Sequence, residues 1–66
     1  MKAKFNPVAI WREQAVTSRK SATRHFADAL VATHPAERLA LVTLAEASEQ
    51  YAAVCEQRAA EYATKN

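Results

Sequence analysis

The stretch Thr33-His34-Pro35-Ala36-Glu37 divides this chain of 66 residues into two long segments. Proline pushes the residue before it out of the α-helical region, and it fits the first position of a helix, where its missing N–H leaves no hydrogen bond unmade. Glu37 then falls at the third helical position, where a negative charge is favourable. We therefore predict that one helix ends near residue 33, that the chain reverses, and that a second helix begins at residue 35.

The pair Asn6-Pro7 gives a similar signal at the start of the first segment, because asparagine caps free N–H groups and proline opens helices. Glycine is absent from the chain, and Pro7 and Pro35 are its two prolines. A β-fold would lack the residues that tight turns require. The sequence predicts an all-α fold: a single domain over residues 1–66, built as an antiparallel hairpin of helices at about 7–33 and 35–63.

The polar run Thr17-Ser18-Arg19-Lys20-Ser21 leaves one structural alternative open, since a serine within it could cap a new helix. The chain would then have three helices. Neither glycine nor proline supports a break here, and the apolar phase continues from Ala15 to Ala22. We favour one continuous first helix.

Apolar residues recur at helical spacing in both segments. Residues three and four apart in the second helix predict a heptad seam, with an alanine-rich flank on either side. The seam comprises Leu41, Leu44, Ser48, Tyr51, Cys55, Arg58 and Tyr62; one flank holds Ala40, Ala47 and Val54, and the other Ala45, Ala52 and Ala59. Folding back at residue 34 brings Phe26 and Leu30 of the first helix toward the start of this seam, and Trp11 toward Cys55.

Two helices share a single seam, and a chain of this length has marginal stability unless something covers its remaining apolar surface. Cys55 is the lone cysteine, so an intrachain disulfide cannot supply that stability. We predict a homodimer that forms a four-helix bundle. Its core and dimer contacts would come from Trp11, Phe26, Leu30, Leu41, Leu44, Tyr51, Cys55 and Tyr62. Cys55 is interpreted as a small buried group, with a redox switch as a third and weaker functional hypothesis.

Neither histidine is placed near Cys55, and no cluster of ligands has the spacing of a metal site, so we expect neither an enzyme nor a metal or other cofactor. The start of the chain, Met-Lys-Ala-Lys-Phe-Asn-Pro, is basic but is not followed by the apolar run of a secretory signal. No stretch resembles a membrane span. We expect a cytoplasmic setting and no membrane partner.

Charge is divided unevenly between the two halves. Residues 1–33 carry six basic and two acidic residues, whereas residues 34–66 carry three basic and five acidic ones. A basic helix can bind nucleic-acid phosphates, and the candidate contacts are Arg12, Arg19, Lys20 and Arg24. These positions do not form one dense stripe, and no aromatic residues alternate with them to stack on bases. Nucleic-acid binding is therefore the alternative function, and mutual attraction of the two helices is the simpler interpretation.

The outer side of the second helix combines an apolar end near the turn with an acidic stripe. We predict a protein-binding surface there, in which aliphatic side chains supply affinity and glutamates attract a basic partner. Its residues are Leu39, Val42, Glu46, Glu49 and Glu56. The functional hypothesis is a small dimeric protein-interaction module, an inhibitor or adaptor that binds a larger regulatory protein such as a DNA-binding regulator.

Overall fold

The computed structural model describes residues 5–65, and within that range the chain forms two helices and no strand. Helix α1 spans Pro7–Val31 and helix α2 spans Pro35–Thr64, and the two pack against each other as a hairpin. The molecule measures 51 × 25 × 11 Å, with a radius of gyration of 15.5 Å. A compact domain of this length would have a radius of about 11 Å. The predicted hairpin is confirmed, and its elongated shape leaves much of each helix on the surface.

Both predicted helix starts are confirmed by their capping contacts. Oδ1 of Asn6 accepts a hydrogen bond of 3.1 Å from the N–H of Ala9, and Pro7 occupies the first turn of α1. At the turn, Nδ1 of His34 accepts a hydrogen bond of 3.3 Å from the N–H of Ala36. Helix α2 therefore starts where the His34-Pro35 pair predicted.

Helix α1 ends two residues earlier than predicted, because the reversal needs extended backbone before Pro35. Ala32 has φ −70° and ψ 130°, outside the helical region. Nη2 of Arg38 donates a hydrogen bond of 2.8 Å to the carbonyl oxygen of Ala32. This bond satisfies an acceptor that helix α1 leaves open and fixes the start of α2 against the end of α1.

Helix α1 runs without interruption through residues 17–21, so the three-helix alternative is wrong. The hydroxyl of Thr23 donates a hydrogen bond of 3.0 Å to the carbonyl oxygen of Arg19, one turn earlier. The Thr23 side chain thus bonds back to the helix and does not cap a new one.

The interface between the helices is made of small side chains. Helix α1 and the turn bury Ala15, Ala22, Ala29 and Ala32, and helix α2 buries Ala45, Ala52, Cys55 and Ala59. Trp11 is half-buried and packs against a cluster of Ala15, Ala52 and Cys55. The predicted approach of Trp11 to Cys55 is confirmed. No bulky side chain is fully buried among the described residues, so the core of one hairpin is thin.

The predicted seam of α2 is wrong in its rotation. Leu44 and Tyr51 are 51% and 48% exposed, Arg58 is exposed, and Tyr62 lies at the surface. Burial instead follows Ala45, Ala52 and Ala59, which the sequence placed on a flank. Alanines let two helix axes approach closely, so a seam of small residues packs more tightly than one built on leucine and tyrosine.

The residues predicted for the core or the dimer contact therefore separate into three groups. Cys55 is fully buried within the hairpin. Trp11, Phe26 and Leu41 are half-buried. Leu30, at 84% exposure, together with Leu44, Tyr51 and Tyr62, is not part of the core of a single hairpin. Their part in a dimer contact stays a prediction.

Candidate interaction surfaces

Arg19 and Glu56 connect the two helices across one broad side of the hairpin. Nη2 of Arg19 lies 2.7 Å from Oε1 of Glu56, and Nε of Arg19 donates a second hydrogen bond of 3.1 Å to Oε2. Both side chains are about half-exposed, at 47% and 52%. The hydrogen bonds from Arg19 lower the pKa of Glu56, and Glu56 in turn raises the pKa of Arg19. We call this side the ion-pair face.

An apolar depression lies on the ion-pair face near the turn. Phe26, Ala29 and Leu30 of α1 line it together with Arg38 and Val42 of α2, and it encloses about 230 Å³. Leu39 precedes Val42 by three positions on α2, which makes them neighbours on the helix surface, and it is 68% exposed. The depression therefore combines Val42 of the predicted stripe with Phe26 and Leu30 of α1, which were predicted as core, and Leu39 lies beside it.

The acidic members of the predicted stripe do not share one environment. Glu46 and Glu49 are exposed, whereas Glu56 is held by Arg19. Glu49 lies close enough to Arg19 to help raise its pKa. Glu46 and Glu49 are therefore the carboxylates of the stripe that form no hydrogen bond with Arg19. Glu56 instead connects α2 to α1.

The basic residues of α1 are exposed but point in different directions. Residues on a helix advance by about 100° each, which separates Arg12 and Arg19 from Arg24 by well over a quarter turn. Val16, Arg19, Lys20 and Thr23 line a shallow groove of about 360 Å³ along α1. Arg19 is already paired with Glu56. The four predicted nucleic-acid contacts are therefore not brought together as one phosphate-binding stripe.

A second face was missed as a unit by the sequence reasoning. Arg19 and Glu56 lie on one side of the alanine seam. Residues about a quarter turn from the seam in the opposite direction lie on the other side of the hairpin. Those of α1 are Ile10, Gln14, Thr17 and Ser21, and those of α2 are Leu44, Ala47, Tyr51 and Val54. None of these eight is ionised at neutral pH, so we call them the uncharged face; the same rows continue into charged residues at Arg24 and Asp28 on α1 and at Arg58 on α2. Their spacing of three and four residues indicates a shared face. The sequence-based prediction instead assigned the larger of them, Leu44 and Tyr51, to the seam between the helices.

Two polar groups lie at the margin between the seam and the uncharged face. Nδ1 of His25 is shielded from solvent and has no hydrogen-bond partner among the described residues. A side-chain hydrogen bond with Cys55 raises the pKa of Tyr51. Nδ1 of His25 is therefore an unsatisfied polar atom beside the seam, which costs free energy.

Within residues 5–65, no three His, Cys, Asp or Glu side chains come together in a way that would hold a metal ion. No helix there is long and apolar enough to span a bilayer. The chain matches no protein-family model, no curated protein and no solved structure.

Proposed function

We propose that this chain is a small dimeric protein-interaction module that binds a larger regulatory protein. The observation that carries the proposal is the apolar depression beside the turn, where Phe26, Leu30 and Val42 meet. Leu30 and Leu39 are among the most exposed large apolar side chains of the described chain, at 84% and 68%. Exposed leucines beside a depression form the kind of site in which a partner's apolar side chain is anchored.

The charge beside the depression suggests which partner fits. Glu46 and Glu49 follow Val42 on the outer side of α2 and are exposed. Carboxylates at the rim of an apolar contact attract a basic surface and discriminate against an acidic one. A regulator that reads DNA carries such a basic surface, and a module covering it would act as an inhibitor or an adaptor. Glu56 contributes less to this attraction because Arg19 holds it.

Dimerisation is part of the same proposal. Among residues 5–65 the fully buried side chains are alanines and Cys55, while Ile10, Leu44, Tyr51 and Val54 stay substantially exposed on the face opposite the depression. Covering that face with a second hairpin would complete a four-helix bundle. The dimer would present one depression on each of two opposite sides. We place it in the cytoplasm, where Cys55 would remain reduced.

The proposal is tested by capturing a partner from extract of the source cells with immobilised protein and two matched variants. Val42→Lys places a charge in the depression. Ala60→Lys makes the same charge change at an exposed position on the same side of α2, 18 residues further along, which is five turns. We expect a protein retained by the wild type and by Ala60→Lys but lost with Val42→Lys. Equal retention by all three, or no specific protein, would refute the assigned surface.

Nucleic-acid binding is the second candidate, favoured by one observation. Arg19 and Lys20 flank the groove along α1, and the first half of the chain has a basic balance. A phosphate would compete with Glu56 for Arg19. This candidate requires that the Arg19–Glu56 pair open on binding, which the protein-binding proposal does not.

A further inference from the structure

We propose that the second copy docks through the uncharged face, with the two α2 helices antiparallel and related by a two-fold axis near Ala47. This inference rests on the dimer in the proposed function and specifies its contact. Leu44, Tyr51 and Val54 are each about half-exposed, and they lie on one row with Ala40 and Ala47. That row extends for about 21 Å along α2 without a charge.

The row is complementary to itself when it is reversed. With Ala47 facing its own copy, Leu44 lies within about 1.5 Å along the helix axis of Tyr51 of the partner subunit, since reversal about residue 47 brings position 44 onto position 50. Ala40 then lies opposite Val54 of the partner subunit. Val54 thus meets a small residue, Leu44 and Tyr51 place apolar surface on apolar surface, and the small side chain of Ala47 at the axis lets the helices approach closely. An isologous contact uses the same surface on both copies, so the row has to be complementary to itself in the reversed direction.

Charges at the ends of the row favour the same arrangement. The row is bounded by Glu37 at the end near the turn and by Arg58 at the other end; both side chains are exposed, and Nη1 of Arg58 also lies 3.7 Å from Oε1 of Glu61 on its own helix. Reversal about Ala47 brings position 37 onto position 57, which places Glu37 one residue from Arg58 of the partner subunit, twice in the dimer. A parallel arrangement would instead oppose like charges at both ends, which is unfavourable.

The ion-pair face is a poorer contact for a second copy. Docking there would bury the half-exposed Arg19 and Glu56 side chains, and removing an ion pair from water costs free energy that its attraction often does not restore. The uncharged face carries no such cost. With the axis at Ala47, the two α2 helices overlap over residues 35–59, about 37 Å, and a contact about 11 Å wide would cover on the order of 800 Å² in total. That area is at the low end of specific interfaces, as in weak or transient complexes.

Helix α1 supports this choice of helix pair. Its contribution to the uncharged face is Ile10 followed by Gln14, Thr17 and Ser21, which bury less apolar surface than the row on α2. Packing of α2 against α1 of the partner would leave the Leu44 and Tyr51 side chains facing amides and hydroxyls. Packing of α2 against its own copy places apolar residues on apolar residues.

The contact is tested by disulfide crosslinking in the full chain carrying Cys55→Ala, which removes the native thiol. Ala47→Cys places a thiol at the proposed axis, and Ala53→Cys places one at an equally exposed alanine on the other side of α2. A disulfide needs Cα atoms within about 7 Å of each other. We expect mild oxidation to join most Ala47→Cys chains as dimers and to leave Ala53→Cys chains single. Circular dichroism confirms that each variant is folded.

Each of the other outcomes would refute a different part of the proposed dimer. A dimeric mass by light scattering with no crosslink at position 47 would refute the α2 contact and leave the dimer standing. A crosslink between Ala47→Cys and Thr17→Cys chains would show packing of α2 against α1 of the partner. A folded monomer would refute the dimer itself and leave the uncharged face to a different protein.

A charge exchange provides a second measurement that does not depend on thiols. Arg58→Glu opposes two pairs of like charges at the ends of the proposed contact, and we expect it to raise the dimer dissociation constant about tenfold. Adding Glu37→Arg to that variant restores opposite charges and should recover most of the loss. If the double variant is weaker than Arg58→Glu alone, the antiparallel register is wrong.

Discussion

Arg19 and Glu56, which the sequence assigned to two different binding surfaces, are hydrogen-bonded to each other at 2.7 and 3.1 Å. Each had been selected because its helix carries an excess of one charge. The pairing shows that part of the opposite charge of the two helices is neutralised by a contact within the hairpin. It also removes one residue from each predicted surface as a free contact, and it leaves the apolar depression as the more distinctive feature of the ion-pair face.

The first prediction concerns acid stability. Arg19 lowers the pKa of Glu56 in the folded chain below its ordinary value near 4.5, so the unfolded chain binds the proton more readily. The contribution of the pair is therefore present above the unfolded pKa and is lost as the pH falls through the folded pKa. Glu56→Gln should show a smaller decrease in denaturation midpoint than the wild type between about pH 6 and pH 3.

The matched control for that experiment is Glu46→Gln, which removes an exposed carboxylate from the same side of α2. It should keep the pH dependence of the wild type. If the Glu56→Gln and Glu46→Gln curves run parallel, Arg19 does not hold Glu56 in solution.

The second prediction concerns the alanine seam. Ala52 is fully buried between the helices, whereas Ala53 is exposed. Leucine at position 52 has to push the helices apart or leave its preferred rotamer, which should lower the free energy of unfolding by about 1–3 kcal/mol. Leucine at position 53 should change it by less than about 0.5 kcal/mol. Urea denaturation followed by circular dichroism measures both, and similar values for the two variants would contradict the assigned seam.

The third prediction concerns the start of α1. Removing the Asn6 oxygen that accepts from the Ala9 N–H should cost about 0.5–2 kcal/mol of unfolding free energy in Asn6→Ala. Asn6→Asp keeps a capping oxygen and should retain most of the stability. Thermal denaturation of the three proteins tests this; no loss in Asn6→Ala would show that the cap contributes nothing, and an equal loss in both variants would show that the capping oxygen is not the cause.

The positions of the helix boundaries could be predicted because their causes are local. Asn6-Pro7 and His34-Pro35 act through capping and through the fixed φ of proline, and both starts appear as predicted. The end of α1 was two residues off, because it depends on the extended backbone of the reversal and on the bond from Arg38 to Ala32. That bond joins groups on both sides of the turn.

The rotation of α2 could not be predicted in the same way, because α2 is apolar on more than one side. Leu44 and Tyr51 outweigh alanine in any pattern based on hydrophobicity. Which side faces α1 depends on fit to the small middle of that helix, where Ala15 and Ala22 are buried. The Arg19–Glu56 pair follows from the resulting register and rotation together, so neither helix alone indicates it.

The fourth prediction separates the two candidate functions. Binding through phosphates weakens steeply as salt rises, so it is strongest at low ionic strength. Because the basic residues of α1 diverge and Glu56 holds Arg19, we expect no shift of short RNA or DNA duplexes in a gel at about 50 mM salt. A shift that disappears with added salt and with Lys20→Gln would favour the nucleic-acid function instead.

The central claim is that one hairpin leaves too much apolar surface uncovered to remain alone. Sedimentation equilibrium measures the mass of the chain in solution without reference to its shape, which matters for an elongated molecule. One chain has a mass of 7.3 kDa. At micromolar concentration we expect twice that mass, with full helical circular dichroism; a folded species at the mass of one chain would contradict the claim.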